Sequence, residues 1–127
     1  EMRRTEEALI TEFFQRFSDS IGTGRTDDWL ALTSDCTQCE VLADNLRAAY
    51  TDGGRIEGGK WDLLSLEYTR DVGLGSEWSV EVKTAEERWL DANDKLQRTV
   101  VASTQSLAVA VDSVGDDTFI TGFRVRQ

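Results

Sequence analysis

Apolar residues fall first at helical and then at strand spacing along this 127-residue chain. Between residues 5 and 21, Ile10, Phe13, Phe14, Phe17 and Ile21 recur three and four apart, which predicts one amphipathic helix with a single buried face. Thr5 is its expected N-cap. Glu6 and Glu7 follow where a helix start favours acids, and Gly22 and Gly24 end it. A short helical segment over 27–32 carries Trp29, Leu30 and Leu32. A third helix is expected from about Cys36 to Thr51. Ser34 or Asp35 caps it, and Gln38 stands three residues after Asp35 in the manner of a capping box. Cys39, Leu42, Ala43, Leu46, Ala49 and Tyr50 make its inner stripe, and Asp52-Gly53-Gly54 stops it.

The period then changes. Residues 55–72 are β-rich, with a bulge or kink expected at Gly58-Gly59. Trp78, Val80 and Val82 alternate with Ser79, Glu81 and Lys83, as in a half-buried strand. Ala85 and Trp89 have the opposite parity, which places a bulge near Thr84–Glu87. Turns are expected at 73–76, 91–94 and 114–117, with a long strand over 96–112. In the last strand Phe119, Thr121, Phe123 and Val125 alternate with Ile120, Gly122, Arg124 and Arg126. Helices over about 5–52 and about four long antiparallel strands over about 55–127 define one α+β domain spanning 1–127. Strands of roughly 14–17 residues exceed the usual 3–10 and bend. A bent antiparallel sheet wrapped around helices makes a cone with a hollow interior.

Composition narrows the chemistry. The chain has 14 Lys and Arg against 24 Asp and Glu, a net charge of −10. Residues 1–55 hold 11 acids and 6 bases, and residues 56–127 hold 13 and 8, so each part stands at −5. No basic patch exists to meet a nucleic acid or an anionic membrane surface. The absence of His and Pro excludes a histidine base, a histidine metal ligand and a cis-proline loop. No apolar run approaches the ~18–20 residues that cross a bilayer. No signal peptide is visible where Glu1-Met2-Arg3-Arg4 leads into the first helix.

Both cysteines sit in Cys36-Thr37-Gln38-Cys39. A zinc site needs about four ligands, which this chain does not supply as Cys or His. A thioredoxin-like redox site needs a βαβ context, whereas here the helices precede the strands. A short-range structural disulfide at a helix start is favoured, worth roughly 2 kcal/mol by loop closure. It implies an oxidising, extracytoplasmic setting. A pair of buried free thiols is its main competitor.

The first helix ending in Phe13-Phe14-x-x-Phe17, the segment with Trp29-Leu30, the third helix and the consecutive strands together resemble the NTF2-like (cystatin-like) superfamily. That resemblance implies helices packed inside a strongly bent sheet. Residues 32–39 (LTSDCTQC) followed by residues 50–59 (YTDGGRIEGG) resemble an uncharacterised family of actinobacterial secreted lipoproteins. This narrower resemblance implies an extracytoplasmic domain, lipid-anchored to the cell membrane through a segment outside this sequence. It also supports pairing of Cys36 with Cys39, and it supplies no activity.

NTF2-like enzymes place an Asp, His or Tyr in the cone for proton transfer. Here Asp62, Glu67, Glu86 and Asp112 are strand acids on unassigned faces, and no catalytic residue is singled out. No nucleophile elbow, phosphate-cradling loop or EF-hand spacing occurs, and no cofactor or metal is expected. Trp29, Tyr50 and Trp61, at helix and strand starts, are the candidate ligand-binding residues, with core packing as the competing role. Arg98 would need an anionic partner if it pointed inward, with solvent exposure the favoured reading. Two functions remain. One is non-catalytic binding of a small apolar ligand or an envelope protein. The other is an NTF2-like enzyme using a carboxylate and Tyr50. A homodimer through the outer sheet face is compatible with either.

Overall fold

A computed structural model describes residues 2–126. Helix α1 spans Met2–Thr23, α2 Asp27–Leu30 and α3 Thr37–Tyr50, with a 3-10 turn at Thr51–Gly53. Ile10, Phe13, Phe14, Phe17 and Ile21 are all buried, so the expected stripe of α1 is the core-facing one. The helix begins three residues before Thr5, which is therefore not its N-cap. Arg3 in the added turn lies 3.3 Å over the Tyr68 ring and pairs with Asp71 at 3.4 Å. The second helix ends at Leu30 rather than Leu32, because Leu32 and Ser34 leave it to bond the backbone of Ile120. The cap of α3 is Cys36, not Ser34 or Asp35. Its sulfur accepts the Cys39 backbone N–H at 3.2 Å, while Asp35 takes a left-handed φ of 51°.

Seven strand segments follow: β1 (Arg55–Gly58), β2 (Trp61–Val72), β3 (Gly75–Thr84), β4 (Glu87–Leu90), β5 (Leu96–Val100), β6 (Ser103–Val114) and β7 (Asp117–Val125). They pair antiparallel in two sheets, ordered β1-β4-β5 and β2-β3-β6-β7. Short breaks at 59–60, 85–86 and 101–102 join β1 to β2, β3 to β4 and β5 to β6. The chain thus has four long strands, three of them bent, as their lengths require. At the first break Gly58 and Gly59 hold φ of +77° and +83°. A Cβ on Gly58 would stand 2.2 Å from the Glu86 carbonyl oxygen, and one on Gly59 2.7 Å from the Ile21 side chain. Only glycine lets the two bends approach each other and the helix this closely.

Ser76, Trp78, Val80, Val82 and Thr84 of β3 face the helices with Leu107, Val109 and Val111 of β6. The last strand departs from simple alternation. A register shift between Ala110 and Val111 puts Thr121 in a bulge, so the fully buried Ile120 and the half-buried Phe123 both serve the core. The backbone bonds to Leu32 and Ser34 also cover part of the β7 edge.

Cys36 and Cys39 form a disulfide across the first turn of α3, and both are buried. Replacing both by alanine is expected to cost about 2 kcal/mol in urea unfolding. Unfolded, unreduced wild-type protein is expected to take up no thiol-alkylating label by intact mass. Uptake of two labels by protein prepared under oxidising conditions would refute the bond.

Candidate functional site

The bend leaves a cleft of about 270 Å³ between the helices and the small sheet. Phe17 and Ile21 of α1 line it together with Leu42, Asn45 and Leu46 of α3. Trp61 of β2, Glu87 and Trp89 of β4, Arg98 and Val100 of β5, and Phe123 of β7 complete it. Most of these side chains are apolar, as in small-molecule sites generally. Leu42 is half-buried although it lies on the inner stripe of α3, because the cleft is what it faces.

The polar groups of the cleft are few. The Glu87 carboxylate accepts the Trp89 indole N–H at 2.9 Å. Arg98 is exposed at the cleft, places its guanidinium 4.9 Å from the centre of the Trp89 ring and has no carboxylate partner among the described residues. The Trp61 indole nitrogen is buried without a hydrogen-bond partner.

Of the three aromatic residues singled out from sequence, only Trp61 lines this cleft. Its ring stacks on Phe14 and meets Phe17 edge-on at 4.9 Å. Trp29 is completely buried, its ring 5.5 Å from Phe13 and 4.8 Å from Phe17. It fills the cone interior that the bent sheet would otherwise leave hollow. Tyr50 is a latch between α1, α3 and β1. Its hydroxyl donates to the Ile21 carbonyl at 2.5 Å, with the Ile56 carbonyl at 3.3 Å. Its ring packs on Gly24, where a Cβ would come within 2.5 Å of it. Burial pushes the Tyr50 hydroxyl above its ordinary pKa.

The strand acids are placed outside the cleft as well. Asp62, Glu67 and Glu86 are exposed, and Asp112 accepts the Ser113 backbone N–H at 2.8 Å. Sequence reasoning did not find Leu42, Asn45, Glu87 or Val100 as site residues. They come from three elements that meet only once the strands bend.

A larger groove of about 570 Å³ lies between α1 and β2. Thr11, Gln15, Ser18, Asp19, Lys60 and Asp62 make it a solvated surface. On the outer face of the large sheet, Ala108, Ala110 and Gly122 lie near Glu77, which pairs with Arg70 and Arg124.

Helices packed into a curved antiparallel sheet around a residual cleft are the NTF2-like fold, and that is the fold of this chain. The intermembrane-space region of the chloroplast protein ARC6 superposes with a TM-score of 0.63 at 19% identity, over 96% of this chain and 94% of that one. Aln2 from a Streptomyces species gives 0.58 at 10% identity, over 97% and 90%. The β subunit of benzoate 1,2-dioxygenase from Burkholderia mallei gives 0.55 at 16% identity, over 91% and 86%. At these identities the likeness is one of fold. No protein-family model matches the chain, and no curated protein matches it in sequence.

Proposed function

We propose that this chain is a non-catalytic binding domain that works outside the cytoplasm, and that its cone cleft takes a small apolar ligand. The observation that carries this reading is the cleft itself, walled by Phe17, Ile21, Leu42, Leu46, Trp61 and Val100. Its one carboxylate, Glu87, is engaged by Trp89, and the Tyr50 hydroxyl that acid–base chemistry would use is committed to backbone carbonyls. The Cys36–Cys39 disulfide supports an oxidising compartment. An intermembrane-space domain of the same fold is consistent with that setting. The lipoprotein resemblance adds a lipid anchor outside the given sequence.

Binding of N-phenyl-1-naphthylamine, followed by its fluorescence, tests the reading. About one site per chain is expected. Leu42→Trp, which fills the cleft from α3, should weaken it by roughly tenfold or more, equal to about 1.4 kcal/mol. Leu42 is half-buried beside open volume, so the added ring has room and the thermal midpoint should hold within a few degrees. A probe that binds Leu42→Trp as well as wild type would place the ligand elsewhere.

A further inference from the structure

Resting on that reading of the cleft, we propose that its ligand is a short amphiphile with a carboxylate head group held by Arg98. The polar groups that line the cleft are unevenly matched. Its one negatively charged acceptor, the Glu87 carboxylate, already accepts the Trp89 indole N–H. Its donors do not have acceptors. Asn45 and Arg98 are exposed, and among the described residues neither side chain has a hydrogen-bond or ion-pair partner within the protein, while the Trp61 indole N–H is buried and unbonded.

Arg98 is set apart from the other cations that line grooves on this molecule. Lys60 pairs with Asp62 at 3.5 Å, and Arg124 with Glu77 at 3.3 Å. Arg98 instead lies over the face of Trp89, its cross-strand neighbour, which leaves the guanidinium N–H edge free. Among the described residues Arg98 shares the lack of a carboxylate partner with Arg4, Arg25, Lys83 and Lys95, and differs from them in lining the cleft on an aromatic face.

Two opposing charges bear on this. Glu87 sits diagonal to Arg98 across the β4–β5 pairing, its cross-strand partner being Val100, and its carboxylate is drawn to the Trp89 indole. The net charge of −10 acts over a screening length of about 8 Å at physiological salt, and the cleft itself holds one anion, Glu87, and one cation, Arg98, so selectivity for a carboxylate rests on direct contact with the guanidinium and not on a positive field. Size sets the rest of the ligand. At the ~30 Å³ of a water-sized group, a cleft of about 270 Å³ holds roughly nine heavy atoms. An aliphatic tail of about seven carbons against Phe17, Ile21, Leu42 and Leu46, with its carboxylate at the exposed Arg98, suits that space.

Displacement of N-phenyl-1-naphthylamine by octanoate, 1-octanol and octyltrimethylammonium tests this, because their tails agree to within one methylene, which counts against octanoate, and their heads differ in charge. Octanoate should displace the probe from wild type at about tenfold lower concentration than either of the others. The octanoate-to-octanol preference should fall to about one in Arg98→Gln. In Arg98→Glu the cationic probe should become the preferred one. Equal displacement by all three, with the dye still bound, would overturn the anionic head group and leave the apolar-ligand reading standing. A preference unchanged in Arg98→Gln would overturn the role of Arg98. A wild type that binds no dye would remove both readings together.

Discussion

Trp29→Ala should destabilise the domain by about 3–5 kcal/mol and lower its thermal midpoint by roughly 10–20 °C. Trp29 is the largest side chain buried without any exposure, and it stands between Phe13 and Phe17 where the cone would otherwise be empty. Removing the indole deletes most of its transfer free energy. It also opens a cavity beside Phe13 and Phe17 that relaxation of the packed core closes only in part. The indole nitrogen has no hydrogen-bond partner, so part of what the tryptophan gains by packing is already lost to an unpaired donor. Trp29→Phe keeps a ring in the same place and drops that donor. It should therefore cost less than about 1.5 kcal/mol, and the two variants should separate clearly in urea midpoint. If Trp29→Ala unfolds like wild type, Trp29 is not the plug of the cone.

The order of elements and two of the three bends were legible because each is written locally. The spacing of Ile10, Phe13, Phe17 and Ile21 is visible on the chain, and so is the glycine pair at 58–59. The break at 101–102 carries no glycine, only Val101 and Ala102, and nothing in the pattern marks it. Alternation misplaces the face of β7 for a related reason. It puts Phe119, Thr121, Phe123 and Val125 together, but the bulge at Thr121 arises from pairing with β6, which no single strand encodes. The cleft was the least legible part. Trp61 could be suspected as an aromatic at a strand start. Asn45, Glu87, Arg98 and Val100 become neighbours only when α3 packs beneath a small sheet that the bends create. Tyr50 and Trp29 show the converse. A large aromatic near an element's end is as readily a latch or a plug as a ligand contact.

Glu6→Leu should cost about 2–4 kcal/mol, an unusual penalty for an acid in the first turns of a helix. Glu6 is only 3% exposed. Its carboxylate accepts the Ser76 hydroxyl at 2.6 Å and the Trp78 indole N–H at 2.9 Å, with an Arg3 guanidinium nitrogen 3.9 Å away. These bonds fasten the start of α1 to the middle of the large sheet. The position is readable in retrospect: Glu6 precedes Ile10 by four and Phe13 by seven, so it continues the buried stripe. A leucine there would fill similar space and remove the acceptor from two buried donors. The indole would keep the Ser76 oxygen at 3.1 Å, so the serine hydroxyl would bear most of the loss. Ser76→Ala removes that orphaned hydroxyl but also the last acceptor of the buried Trp78 indole, so only with Trp78→Phe as well is no buried donor left unpaired for want of Glu6. Glu6→Leu should thus cost less in a Ser76→Ala, Trp78→Phe background than in wild type, a coupling read from a double-mutant cycle of urea midpoints in which the sheet pair counts as one change. Strict additivity of the two changes would mean that the carboxylate does not hold α1 to β3.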